Sequence, residues 1–186
     1  FSKGPEIIKP EPLLELFGTI NLPAITGKFI VRERFAVNTS DDAEVKISGR
    51  SKNFDLYFWD VIEEAIGESE LNIQRLEKNS VDGLIIGELG GSENAGIFLQ
   101  QIWLFMREKQ AKGETDGWFV AYKEDKVRFP EDKPFAYTNK KGEHSVLRAV
   151  PFGWVGGGWD VNANLVSGSL VWHDGRQFLS GNSSVT

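Results

Sequence analysis

The chain has 186 residues, enough for one domain of moderate size, and at 40% hydrophobic and 26% charged it sits in the ordinary globular range. A net charge of −6 argues against a broad nucleic-acid or anionic-membrane footprint, and no apolar run approaches the roughly 18 residues that membrane insertion by a helix needs. Cysteine is absent, which excludes disulfides, thiolate metal sites and cysteine nucleophiles.

Phe1 to Pro12 carries Pro5, Pro10 and Pro12 and reads as an extended arm, with a single domain following over 13–186. Leu13 to Asn21 is expected to be a first strand, stopped near Pro23. Lys28 to Val37 is expected to be a second, with Phe29, Val31, Phe35 and Val37 on one side. After the turn chemistry of Asn38–Asp42, Glu44 to Ser48 alternates again. The three suggest a β-meander whose charged side (Lys28, Arg32, Arg34, Lys46) is solvated. Asn53 can then cap a helix running to Ile66 and stopped by Gly67, burying Phe58, Trp59, Ile62, Ala65 and Ile66. Its acids Asp60, Glu63 and Glu64 are expected on a solvated face.

Leu71–Leu76 and Leu84–Ile86 are short and read equally as strand or loop. A second helix, capped by Ser92, is expected to run to Lys112 before Gly113, and Ile97, Phe98, Leu99, Ile102, Trp103, Phe105 and Met106 nearly encircle it. A helix apolar on most sides belongs at the centre of a domain. Gly90-Gly91-Ser92 lacks the Lys of a phosphate-binding loop, so it reads as a cap. Trp118 to Tyr122 reads as a strand, followed by a charged loop from Lys123 to Pro134. Phe135–Thr138 and Ser145–Val150, joined across Lys140–Gly142, read as a hairpin. Strands, two helices and many short strands make an α+β domain whose ends meet in one sheet.

The tail from Pro151 to Thr186 differs chemically from all that precedes it. Of the chain's 21 basic and 27 acidic residues it holds only Asp160, Asp174 and Arg176, and it contains no Lys, Glu or Met. Gly, Ser, Asn and small apolar residues surround Trp154, Trp159 and Trp172. Aromatic and short polar side chains give contact area and adaptable hydrogen bonds, the composition of recognition surfaces. Trp159, Val161 and Ala163 alternate with Asp160, Asn162 and Asn164, the period of a half-buried strand.

The segment Val146 to Ser183 resembles the C-terminal variable region of proteins diversified by diversity-generating retroelements, found in phages, archaeal viruses and small-genome bacteria and archaea. Leu147-Arg148-Ala149-Val150, Trp154, Trp159, Val161, Ala163, Val166, Trp172-His173-Asp174-Gly175, Gln177, Ser180, Asn182 and Ser183 carry the match, about a fifth of the chain. Leu165, Ser169, Phe178-Leu179 and Gly181 depart from the family's pattern. The resemblance implies a C-type-lectin fold, with two helices packed on antiparallel sheets. It further implies a variable region of about 151–184, rewritten at adenines by a reverse transcriptase. Codons diversified in that way never encode Lys, Glu, Met, Gln or Trp. The tail obeys this except at Trp154, Trp159, Trp172 and Gln177, which coincide with family scaffold positions.

On this resemblance the scaffold is Trp154, Trp159, Val161, Ala163, Val166, Trp172, Gly175, Gln177 and Asn182. The displayed set is Val155, Gly157, Asp160, Asn162, Asn164, Leu165, Gly168, Leu170, Val171, His173 and Arg176, with Val155, Leu165, Leu170 and His173 as anchors. The implied function is binding of a protein or cell-surface ligand, on a virion or cell, without cofactor. Calcium-dependent sugar binding is an alternative, but it needs six or more oxygen ligands. The tail offers Asp160 and Asp174 with Asn162, Asn164 and Asn182, and lacks a Glu-Pro-Asn signature. A non-diversified structural or interaction domain is a further alternative. Catalysis is not expected: His144 and His173 are the only histidines and neither has a nucleophile beside it in sequence.

Overall fold

The computed structural model describes residues 11–181. Its elements in chain order are β1 (Leu14–Leu22), β2 (Phe29–Ile30), α1 (Val31–Arg34), β3 (Ile47–Arg50), α2 (Lys52–Phe58), β4 (Ile62–Glu63), β5 (Ser69–Leu76) and β6 (Ser80–Val81). There follow α3 (Asp82–Glu88), α4 (Ser92–Ala95), α5 (Leu99–Ala111), β7 (Trp118–Lys126), a 3-10 turn over Pro130–Phe135, β8 (Tyr137–Thr138), β9 (His144–Val155), β10 (Gly158–Val161), β11 (Asn164–Leu165), β12 (Val171–Trp172) and β13 (Gln177–Gly181). The class is α+β. Except for Glu11 and Pro12, the arm expected over 1–12 lies outside the described residues.

One nine-stranded sheet runs β1-β5-β13-β7-β9-β10-β3, with β8 and β11 also paired to β9. The first and last described strands both belong to it, β1 and β13 flanking β5. The sheet is mixed rather than antiparallel: β13 runs parallel to β7, and β10 parallel to β3. The long partners β7 and β9 pair from Trp118↔Gly153 to Lys126↔Ser145. Alternation along them sends side chains to two separate cores. Phe119, Ala121, Val150 and Phe152 face the main core with α2 and α5, whereas Val120, Tyr122, Leu147 and Ala149 face a second core under α3.

Helix α5 fills the main core as its all-round apolar sequence requires: every residue from Leu99 to Met106 is buried. The expected single helix from Ser92 is nevertheless two. The chain breaks at Gly96–Phe98 because the Ile97 amide donates to the Tyr122 carbonyl (2.7 Å), bridging it to β7. Ser92 does not cap; the position before the helix is Gly91, held at φ 87°. The N-terminus of α5 takes its cap from far away. Glu63 Oε2 and Oε1 accept from the Leu99 and Gln100 amides (both 2.9 Å), and Lys123 lies 3.5 Å from the same carboxylate.

That use of Glu63 corrects the first helix. α2 is capped by Ser51, whose Oγ accepts from the Phe54 amide, and it ends at Phe58, burying Phe54, Tyr57 and Phe58. The chain then extends through β4, leaving Ile62 and Ala65 exposed and turning Glu63 inward; Asp60 and Glu64 are exposed. Over Lys28–Val37 only Phe29–Ile30 is strand, and Val31–Arg34 makes one helical turn, closed by Phe35 N–H to the Val31 carbonyl (2.8 Å). Positions i and i+4 then share a face, so Val31 and Phe35 both reach the core while Val37 stays exposed. No meander forms. β1 pairs β5, β2 pairs β4, and β3, shifted from Glu44–Ser48 to Ile47–Arg50, pairs β10. Of the charged side, Lys28 and Arg32 are solvated as expected, Arg32 in an exposed pair with Asp60, whereas Arg34 and Lys46 are half-buried and Arg34 stacks 4.7 Å from the Trp103 ring centroid.

Leu84–Ile86 belongs to helix α3, and Leu71–Leu76 to strand β5. Phe135 closes the 3-10 turn, and the hairpin consists of β8 and a β9 that starts at His144 and continues through Val155. At the base of this hairpin Arg148, fully buried, bridges Asp132 (2.5 Å) and Asp125 (3.0 Å) and stacks 4.5 Å from Tyr57. Burial alone would lower the Arg148 pKa, but the bonds to Asp132 and Asp125 outweigh it and raise it.

Candidate functional site

The tail is fixed to the fold through its main chain. The β9–β10 turn is bracketed by Ser48, whose Oγ donates to the carbonyls of Val155 (2.6 Å) and Gly158 (3.0 Å). Trp159 N–H donates to the Lys46 carbonyl (2.7 Å), Ser51 N–H to that of Val161 (3.0 Å), and Ala163 N–H to Ser51 Oγ (3.3 Å). Further on, Gly175 N–H and the Arg176 carbonyl bond both polar groups of Leu76, and Asp174 N–H meets Asn79 Oδ1. With the backbone spent on these partners, the side chains that point outward are left to solvent.

They divide by strand parity. Trp159, Val161 and Ala163 are buried in the main core, where Trp159 contacts Phe119, Phe152 and Trp154 edge-on. Trp154 is half-buried. Asp160, Asn162 and Asn164 between them are half-exposed and make no side-chain hydrogen bond among the described residues. Register places them on the opposite face. Trp118 pairs Gly153, Gly153 pairs Asp160, Asp160 pairs Gly49, and Asn164 pairs Ala149 of the second core. Val155, 50% exposed, follows Trp154 and shares that face. Trp118 lies against Gly153 so closely that a Cβ there would sit 2.7 Å from its ring, and the Arg176 guanidinium stands 5.9 Å from the same indole. Arg176, Asp160 and Asp174 have no ion pair among the described residues.

The loop from Ser167 to Val171 flanks this face. Val166 and Trp172, at its two ends, are buried in the second core, while Gly168, Leu170 and Val171 are exposed. A single carboxyl group from outside the tail ties both ends. Asp82, fully buried at the start of α3, accepts from Trp172 Nε1 (2.6 Å) and Tyr122 OH (2.7 Å) on Oδ1 and from Ser167 N–H (3.3 Å) on Oδ2. Burial raises its pKa, although all three bonds act to lower it. Tyr122 is pushed well up by its own burial and by Asp82.

Some expected members lie elsewhere. Leu165 pairs Arg148 and packs, half-buried, on the main core, because its parity is that of Ala163 and not of Asn164. Gly157 is exposed, but with Gly156 it forms a left-handed turn (φ 67° and 82°), so its backbone restricts what could replace it. His173 is exposed, Gly175 is an exposed left-handed turn residue (φ 90°), and Gln177 is half-buried. Asn182 lies outside the described residues. Trp118 and Asp82 belong to the site but not to the tail, and Gly153 lies in the tail but outside the expected set. Only their spatial neighbours reveal them, and no local spacing marks any of the three.

A cavity of about 680 Å³ lies away from this face. It lies by the far end of β7, lined by Ile97, Phe98, Lys123, Asp125, Arg128 and Tyr137 among others. Several of its charges are already paired, Lys123 with Glu63 and Arg128 with Asp125. Among the described residues no cluster of three or more His, Cys, Asp or Glu side chains could hold a metal ion, and no helix is long and apolar enough to cross a membrane.

No protein-family model matches the chain, and neither a curated protein nor a solved structure does.

Proposed function

We propose that this protein is a ligand-binding module of C-type-lectin-like fold, of the kind diversified by retroelements, whose C-terminal surface carries exchangeable side chains on a fixed Trp-rich frame. The observation that carries it is the division along β10–β11. Trp159, Val161 and Ala163 are buried, whereas Asp160, Asn162 and Asn164 face away from the main core and their side chains make no hydrogen bond among the described residues. The restricted residue alphabet of the tail and the tying of its backbone to Ser48, Ser51, Leu76 and Asn79 support the same reading.

The binding face consists of Val155, Asp160, Asn162, Asn164, Gly168, Leu170, Val171 and Arg176, with Trp118 as a platform that the tail does not supply. Exposed Val155, Leu170 and Val171 suit an apolar patch on a protein or cell-surface partner, and Arg176 and Asp160 supply charges not used internally. Arg and Trp are the residue types that most often dominate interface energetics. Recognition rather than catalysis is the proposed role. The coding DNA tests the diversification: a linked near-copy of the tail's gene segment, differing at adenines and beside a reverse-transcriptase gene, is expected. A genome with the tail present and no such copy would refute it.

A further inference from the structure

The cavity of about 680 Å³ lies where β7 loses the neighbour on one of its edges. Up to Tyr122 the edge away from β9 is closed, first by β13 at Phe119 and Val120 and then by Gly96 at Tyr122. From Glu124 to Lys126, β7 pairs with β9 alone among the described residues. The Tyr122 carbonyl accepts from Ile97 N–H on this outer edge. Backbone direction repeats every second residue, so the N–H and C=O of Glu124 and the N–H of Lys126 are turned outward too. The Lys126 carbonyl is taken by Arg148 Nη2 (3.3 Å). A short run of strand edge thus opens onto the cavity, the arrangement that an extended peptide completes by main-chain hydrogen bonds.

The side chains on the two faces of this edge define the peptide. On one face Lys123 stands 5.5 Å from the ring centroid of Phe98, which is 45% exposed. Lys123 is already paired with Glu63, so this face offers an apolar ring. On the other face Glu124 accepts from a neutral donor, Asn139 Nδ2 (2.6 Å), and neither Glu124 nor Glu93 has an ion pair among the described residues. Both acids lie by the Tyr137 hydroxyl, whose pKa is pushed up by burial first and then by Glu124 and Glu93. Lys126, Lys140 and Lys141 also border the cavity, but they are exposed. We infer that the open edge of β7 is a docking site for an extended peptide of a partner protein, taken up as an added strand with a Lys or Arg beside Glu124 and Glu93 and the adjoining apolar residue on Phe98. Neighbours in a strand point to opposite faces, which the apolar–basic step matches, and a basic residue opposite Glu124 makes a cross-strand ion pair. The site is separate from the tail face and does not depend on the function proposed above.

The probe is a fluorescein-labelled hexapeptide of alternating valine and lysine, apolar on one face and basic on the other. Its binding to the full chain is followed by fluorescence polarisation and mapped by 15N amide shifts. The expected result is saturable binding, with shifts centred on Glu124 and Lys126 and slower hydrogen exchange at both amides. The Glu124→Gln protein should bind the probe at least about fivefold more weakly, and so should the wild type with a valine–glutamate hexapeptide. Methylating the backbone nitrogens of the probe should abolish binding. No saturation up to about 1 mM would overturn the inference, as would shifts centred on Asp160 and Asn162 or spread over the surface. Equal affinity for the valine–glutamate peptide, or undiminished binding by Glu124→Gln, would also overturn it. So would undiminished binding of the methylated probe, since attraction would then be by charge alone. Should Glu124→Gln not fold, Glu93→Gln, at an exposed position, carries the same comparison.

Discussion

Trp159 and Asp160 are neighbours in the chain, yet one is wholly buried and the other, on the opposite face of β10, has no ion pair among the described residues. Trp159→Ala or Trp172→Ala should cost about 3–5 kcal/mol in chemical denaturation, and Val155→Ala or Leu170→Ala should stay within about 0.5 kcal/mol. Equal losses at all four would remove the distinction. Asp82 carries a pH signature of its own. Because burial raises its folded pKa, its stabilising contribution is fully present below about pH 3.8 and is lost as pH rises through the raised value. Asp132 has the opposite sign: burial would raise its pKa, but the bonds from Arg148 and from the Arg128 and Phe129 amides lower it, so its contribution is lost as pH falls. In denaturant titrations at a series of pH values, Asp82→Asn should therefore gain stability relative to wild type as pH approaches neutrality. The alternation from Trp159 to Asn164 was legible in the sequence because a strand hides every second residue. Asp82 was not, since its partners lie 40, 85 and 90 positions away.

Glycines and caps decide how the elements meet. A Cβ on Gly158 would lie 2.9 Å from the Ser48 amide nitrogen and 3.0 Å from the Lys46 carbonyl oxygen, so Gly158→Ala must push β3 away from β10 and should cost about 1–3 kcal/mol. Gly168 has open space around it, and Gly168→Ala should change stability by no more than about 0.5 kcal/mol. Thermal or chemical melts of the pair separate a glycine the frame requires from one on display. Glu63→Ala strips the start of α5 of its cap and leaves Lys123 without its carboxylate, a loss of about 1–3 kcal/mol by the same measurement. The encircled middle makes α5 legible, whereas α2 was legible only as a helix: of its expected buried face only Phe58 is buried, with Phe54 and Tyr57 in place of the others. The end of α2 was not legible, because Glu63 turns inward only to cap a helix that begins 36 residues later. Val31–Arg34 escaped for a related reason. Val31 and Phe35 satisfy both a strand's even spacing and a helix's i,i+4, and the packing of Phe35 against Phe29 and Phe54 chose between them.

For the molecule as a whole, the sheet's two faces hold two different jobs. One carries the main core with α2 and α5. The other carries α3 and its smaller core at one end and, past Ala149, the row of Trp118, Gly153, Asp160 and Asn162. The tail's unusual composition marked Asp160 and Asn162 in the sequence but could not mark Trp118, which precedes it. Leu165 was assigned to that row wrongly, because the chain steps from β10 to β11 without a change of alternation and so carries Leu165 to the core side. The central claim is that frame and display are separable. Its most direct measurement is a proteolysis-based stability scan of every substitution from Pro151 to Gly181. The expected result is strong intolerance at Trp159, Val161, Ala163, Val166, Trp172 and Gly158, with near-neutral profiles at Val155, Asp160, Asn162, Asn164, Gly168, Leu170 and Val171. A scan in which the second group is as intolerant as the first would contradict it.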